Sequence, residues 1–165
     1  MARLAFWISA GACLVLLVLG WFVLPDRVPI HFGVGGDPDR WVDRTRAVLE
    51  MGAVVGGVAL VFLLLAAGVR RVSPALINLP PRQKEWWTAE PARLERLRGM
   101  LAEDVLAMGA ATLALLGGTL LLTGLTAYQE EPGLGWGVWA LLCAYLLVLS
   151  LQVYRMMTVR YRPRE

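Results

Sequence analysis

The chain offers little to catalysis. Its 165 residues include one histidine, His31, and two cysteines, Cys13 and Cys143. No CxxC pair, Cys/His cluster or C-terminal lipidation motif is present, which leaves no zinc-finger-like, thiol-redox or prenylation chemistry. The scarcest property is local: four runs, Leu4–Leu24, Met51–Val69, Val105–Tyr128 and Gly133–Tyr154, contain no Asp, Glu, Lys, Arg or His. Residues rich enough in apolar character to make 58% of the composition would in a soluble domain be spread around a core, but here they fall in blocks. About 20 apolar residues at 1.5 Å rise span a hydrocarbon layer of about 30 Å, so each block is a candidate transmembrane helix. Soluble globular, disordered, collagenous and disulfide-rich classes are excluded. The fold class expected is an all-α membrane protein, one domain over residues 1–165 with spans near 4–24, 48–69, 105–128 and 133–154.

The first run is longer than the roughly 7–15 apolar residues of a secretory signal, and no A-x-A-like site follows, so an uncleaved first span and a mature chain Met1–Glu165 are expected. Lys and Arg resist translocation and set orientation. Segments 1–3, 70–104 and 155–165 together hold 12 of them, against 4 in 25–50 and 129–132. Both termini and the 70–104 loop are therefore expected in the cytoplasm, with 25–47 and a short 129–132 turn outside. That turn makes the third and fourth spans an antiparallel hairpin. The net charge of +3 averages an acidic outer side and a basic inner one, and gives no reason to expect a nucleic-acid partner.

Small residues allow helices to approach in lipid, and Gly52-x-x-x-Gly56, Ala53-x-x-x-Gly57 and Ala114-x-x-x-Gly118 are the patterns that stand out. They fit packing within the chain, a homo-oligomer or a membrane-protein partner alike. Cys13 and Cys143 lie near the middle of their spans and read as packing residues. Thr112, Thr119 and Thr123 are expected to return their hydroxyls to the preceding helical turn. Trp21, Trp136, Trp139, Tyr128 and Tyr154 fall toward span ends, where amphipathic rings anchor in the headgroup layer.

In the 70–104 loop, Pro80-Pro81 blocks a continuous helix, and Pro91 fits a first-turn position. Leu94, Leu97, Leu101 and Val105 then follow at helical spacing, with Arg93, Arg96 and Arg98 on the flanks. An amphipathic cytoplasmic helix lying on the interface and running into the third span is expected, with Trp86 and Trp87 as anchors. Asn78, Pro80, Lys84, Trp86, Trp87, Arg93 and Arg96 are the candidate contacts to lipid or a cytoplasmic partner.

The densest pattern is Leu24-Pro25-Asp26-Arg27-Val28-Pro29-Ile30-His31-Phe32-Gly33-Val34-Gly35-Gly36-Asp37-Pro38-Asp39-Arg40-Trp41-Val42-Asp43-Arg44. Pro25 and Pro29 stiffen residues 25–32 into an extended strand or turn, and Gly33, Gly35 and Gly36 permit a reversal. Residues 39–44 are expected to open a short helix capped by Asp37 or Asp39. The carboxylates are expected to pair internally: Asp26 with Arg27 or Arg44, Asp39 or Asp43 with Arg40 or Arg46, and His31 with backbone or carboxylate. The Asp spacing lacks the EF-hand pattern, and neither a metal nor another cofactor is expected. No span holds an acid or base for ion coupling, Glu50 and Asp104 flanking spans at opposite interfaces, and no Ser or Cys accompanies His31, so a carrier or an enzyme is not expected.

This run, with Leu24, Pro25, Pro29, His31, Phe32, Gly36, Pro38, Asp39 and Trp41 at the signature places, resembles the bacterial membrane family called domain of unknown function 1648. Residues 1 to about 70 also resemble the first part of the SdpI immunity and signalling family, whose two further helices this chain has no room for. Asn78-Leu79-Pro80 with Lys84-Glu85-Trp86-Trp87 is similar to a stretch in short members of the family. The resemblance implies a multi-pass protein of the bacterial inner membrane that acts by binding. It would sense an extracytoplasmic ligand, such as a secreted peptide or toxin, through Pro25, Pro29, His31, Phe32, Gly36, Pro38, Asp39 and Trp41. The alternative is a structural or accessory subunit of a larger membrane complex.

Overall fold

The computed structural model describes residues 1–131, 133 and 135–163. Pro132 of the expected 129–132 turn, Leu134 of the fourth charge-free run, and Arg164 and Glu165 of the tail lie outside the described residues. The chain is 74% helical. Its elements are α1 (Ala2–Val23), β1 (Arg27–Phe32), β2 (Pro38–Asp43), α2 (Arg44–Val69), α3 (Pro81–Thr88), α4 (Pro91–Thr126) and α5 (Gly137–Arg155). A 3₁₀ turn at Pro74–Leu76 precedes α3, and a π-helical turn at Met156–Arg160 extends α5. Four helices are long and apolar enough to cross a membrane: Ala2–Val23, Arg44–Val69, Pro91–Thr126 and Gly137–Arg160.

α4 is the hub and packs against α1, α2, α3 and α5. Its 36 residues make it about 54 Å long at 1.5 Å per residue, well over the thickness of a hydrocarbon core. Pro91 starts it at the expected position, where the missing N–H costs nothing. The buried stripe Ala102, Leu106, Ala110, Leu113 and Gly117 repeats every three or four residues, and opposite it α1 buries Phe6, Cys13 and Gly20, one residue every seven. The helices run parallel, with Phe6 beside Gly109, Cys13 beside Gly117, and Leu24, just past α1, beside Gly124. The Cys13 thiol donates to the Leu113 carbonyl at 3.1 Å, whereas Cys143 is exposed; the two thiols are thus packing and surface groups, not a pair.

The small residues that carry close approach are not those with four-residue spacing on α2. A Cβ at Gly109 would lie 2.8 Å from Phe62 Cγ and 2.9 Å from Phe6 Cε2, while nothing lies within 4 Å of one at Gly56 or Gly57. Gly118 does serve, against Leu141 of α5, where a Cβ would stand 2.9 Å from a methyl, but its sequence partner Ala114 is exposed. The reason is geometric: parallel helices present facing positions every seven or eight residues, so Gly109, Gly117 and Gly124 form the seam. Thr112 and Thr119 return their hydroxyls to Met108 and Leu116 carbonyls at 3.0 and 2.8 Å, and Thr112 also shares a hydrogen bond with Tyr145.

α5 begins at Gly137, four residues after the charge-free run does, and Gly135 adopts a positive φ of 53° just before it. Among the described residues α5 buries none, so it is the peripheral helix.

Residues 39–44 do not open a helix. Residues 38–43 are strand, paired antiparallel with β1 in the register Val28↔Val42 and Pro29↔Trp41. Pairing satisfies the backbone of β1, which Pro29 helps hold extended, and lets Val28 and Val42 bury together with Leu24 and Ala47. Asp43 is the N-cap instead, accepting from the Arg46 amide at 2.9 Å.

Gly109→Ala is expected to lower the unfolding midpoint of the detergent-solubilised protein, at a cost of about 1–3 kcal/mol from overpacking. Gly56→Ala is expected to leave it unchanged or raise it, since it adds helix propensity without a clash. Equal midpoints for the two variants would show that α4 is not the seam.

Candidate functional site

The β-hairpin is the most structured feature outside the long helices. Its reversal is a three-residue loop: the Gly33 amide donates to the Asp37 carbonyl at 2.8 Å and the Gly36 amide to the Gly33 carbonyl at 2.9 Å. Gly36 takes the left-handed position, φ 87°, which a side chain would disfavour. Two irregularities in the ladder, either side of His31, leave Ile30 and Asp39 without partners in the register. Such bulges re-aim side chains. Here they bring His31 Nδ1 and Asp39 Oδ1 to 2.6 Å, on a face where both side chains are more than half exposed, 64% and 53%.

The hairpin is docked. Val28 and Val42 pack with Leu24, Ala47, Ile30, Val48 and Ala127. Arg44 reaches back to Asp26 at 2.8 Å, as its charge led one to expect. The other arginine pairs differ from expectation: the Arg40 and Arg46 guanidinium groups both bind Glu50 Oε1, at 3.1 and 2.7 Å, and neither guanidinium meets Asp39 or Asp43. Asp43 is committed to the helix cap and Asp39 to His31, while Glu50 lies one turn beyond Arg46 on α2, in (i, i+4) position.

Beneath the hairpin lies a half-open cavity of about 330 Å³. Ile30, His31, Phe32 and Arg40 form its rim, Glu50, Met51, Val54 and Val55 one wall, Leu116, Thr119, Leu120 and Thr123 the floor, and Val138 of α5 the far side. Of the residues singled out in sequence, His31 and Phe32 line it, Asp39 holds His31, and Pro29 is buried under the strand pair. Pro25 follows α1, Gly36 makes the turn, Pro38 opens β2, and Trp41 lies partly exposed opposite Pro29. Arg40 and Glu50 were not singled out; a charged pair ten residues apart shows itself only once the strand meets the helix. The site offers imidazole, guanidinium and carboxylate above a floor of two leucines and two threonines. Among the described residues no three His, Cys, Asp or Glu side chains come together as metal ligands.

The other end of the bundle holds a second cluster. Trp87 is 4% exposed and packs with Ile77, Leu97 and Tyr161. It donates its indole N–H to the Tyr161 carbonyl at 2.9 Å, so it is a core residue and not an interfacial anchor. It is buried because the turn at Met156–Arg160 carries the tail back over α3 and α4. Trp86 meets it edge to face and is covered by the Arg93 guanidinium, 4.3 Å from the ring centroid. Arg93 also pairs with Glu90 at 2.8 Å, and Lys84 donates to the Ala75 carbonyl at 3.1 Å. Arg98 donates twice to the Val72 carbonyl, tying the end of α2 to α4. Asn78 and Pro80 border a cavity of about 390 Å³ with Asp104 and Tyr161.

Asp104 is not an exposed flanking acid. It is 6% exposed, 2.7 Å from Arg160 Nε, and accepts from the Tyr161 hydroxyl. Gln152 donates to the Asp104 backbone carbonyl at 3.0 Å. Burial, and next the Asp104 hydrogen bond, push the Tyr161 phenol above its usual range and keep it a donor. Sequence reasoning missed this network because Asp104 lies 48 to 57 residues from its partners.

Four membrane-crossing helices make the chain a multi-pass integral membrane protein. Residues 8–55, from within α1 through the whole hairpin into α2, match the family model Domain of unknown function (DUF1648). No curated protein and no solved structure matches the chain.

Arg160→Ala strands the buried Asp104 carboxylate and is expected to cost about 3 kcal/mol of unfolding free energy in detergent. Asp104→Asn added to that variant removes the stranded charge and is expected to recover part of the loss. No loss in the single variant would show the pair to be structurally idle.

Proposed function

We propose that this protein acts by binding, not by catalysis, and that its recognition element is the hairpin over the 330 Å³ cavity. The observation that carries this is the pairing of an exposed His31–Asp39 couple with a preformed, mainly apolar recess bordered by Arg40 and Glu50. That combination suits a ligand with an apolar group and a polar end, such as a side chain of a secreted peptide. The resemblance of residues 1–70 to the SdpI immunity and signalling family supports the same reading. The charge distribution supports an orientation with the hairpin outside the bacterial inner membrane and both termini in the cytoplasm. An accessory-subunit role is the competing reading; the peripheral α5, with Trp139, Leu146, Leu147 and Leu151 exposed, would be its contact surface.

Orientation is tested with Gly35→Cys and Gln83→Cys, each in a Cys143→Ser background. An impermeant maleimide added to intact cells is expected to label position 35 and not position 83; the reverse would overturn the topology.

The binding reading is tested with a photo-reactive phenylalanine at Trp41. Irradiation of native membranes is expected to give an adduct with an extracytoplasmic peptide, reduced at least fivefold by His31→Ala or Asp39→Ala while the unfolding midpoint stays within about 2 °C. Adducts unaffected by both substitutions would remove the hairpin from recognition. Recovery of the chain only in fixed stoichiometry with other membrane subunits, cross-linked through Leu147 of α5, would establish the accessory role instead.

A further inference from the structure

At the terminal end of the bundle, four arginines from segments far apart in sequence gather around Trp86. Arg93 and Arg96 come from the first turns of α4, and Arg160 and Arg162 from the returning tail. Trp86, Arg96, Met100, Arg160 and Arg162 line a recess of about 40 Å³, where one ordered water needs roughly 10–15 Å³. Two of the four are spoken for. Arg160 binds Asp104 at 2.7 Å and Glu103 at 3.1 Å, and Arg93 binds Glu90 and covers the Trp86 ring. Arg96 and Arg162 are exposed, and among the described residues neither has a carboxylate within ion-pair distance.

The frame that brings them together is rigid. The Trp87 indole holds the Tyr161 carbonyl, and Arg160 is locked onto α4, so Arg162 cannot drift far from Arg96. Two like charges held at one recess without a carboxylate between them are a standing repulsion, relieved by an anion that accepts from both. Guanidinium groups match the oxygens of a phosphate in geometry and charge.

Depth puts a lipid phosphate within reach of the recess. Met100 lies five residues before Val105, where the charge-free run begins, so the recess stands about 7.5 Å beyond the start of the hydrocarbon span. The headgroup layer occupies roughly the 5–7.5 Å outside the hydrocarbon core, so the recess stands at its outer, water-facing edge. Trp86 beside the recess is the aromatic residue suited to that layer.

We infer that Arg96 and Arg162, braced by Arg160 and Trp86, form a binding site for the headgroup phosphate of an anionic membrane phospholipid. The inference needs only that the chain is embedded in a bilayer, and stands apart from the hairpin reading. Basic pockets beside membrane helices hold acidic lipids in this way.

The test uses the full chain in detergent, with phosphatidylglycerol or phosphatidylcholine added in mixed micelles and retained lipid counted by native mass spectrometry. One phosphatidylglycerol per chain is expected, preferred about tenfold over phosphatidylcholine, and the Arg96→Gln, Arg162→Gln double variant is expected to lose that preference. Arg82→Gln, which removes an equal charge from the same end outside the recess, is expected to keep it. Equal retention of the two lipids, or equal loss in Arg82→Gln, would reduce the effect to diffuse charge and overturn the site. Displacement of phosphatidylglycerol by millimolar inorganic phosphate would make it a soluble-anion site and overturn the lipid assignment. Both arginines are exposed, so the variants are expected to fold; a midpoint within about 2 °C of the wild type checks this.

Discussion

The parallel contact between α1 and α4 is the constraint on which the other packing relations rest. In lipid the hydrophobic effect does not drive helices together, so association depends on how closely two backbones can approach. Gly109, Gly117 and Gly124 give α4 a groove, and Phe6, Cys13 and Leu24 occupy it. Phe62 of α2 closes on Gly109 from the other side, and Gly118 seats Leu141 of α5. One helix thus positions three others, and its own length carries it past the apolar layer to build the cluster around Trp87 and Leu97.

The two ends of the bundle solve the same problem differently. A chain leaving the bilayer must satisfy its backbone and cover the apolar ends of its helices. At one end a short β-hairpin does this, using its own ladder for the backbone and burying Val28 and Val42 on the helix ends. Its bulges leave His31, Asp39 and Arg40 facing outward or toward the cavity, so the capping element also presents polar chemistry. At the other end a tail, a short helix and the start of α4 interlock through Asp104, Arg160, Tyr161 and Trp87. Both ends combine an interlocked frame with exposed charge.

Much of the hairpin was legible residue by residue. Prolines at 25 and 29 imposed extended backbone, the glycines marked the reversal, and the lone histidine called for a backbone or carboxylate partner, which the fold supplies as Asp39. The helix expected over 39–44 was not found because its local signal, an Asp cap before polar residues, competes with a strand partner 6 to 16 residues upstream. Local propensity loses when pairing buries two valines and satisfies a ladder. The same competition explains Trp87: an exposed tryptophan pair in a basic loop reads as an anchor until a tail some 70 residues later in sequence folds over it.

Span length and charge-free composition are properties of a single segment, so the number and approximate limits of the membrane helices, and the extended backbone around Pro29, were determined by sequence alone. Which glycines meet which side chains, which carboxylate each arginine binds, and whether a tryptophan or an aspartate is buried are properties of two or more segments at once. Phe6 and Gly109, or Asp104 and Arg160, are brought together by helix register and by a returning tail. Only the tertiary structure could decide those contacts, because the energy that selects them arises when distant surfaces touch.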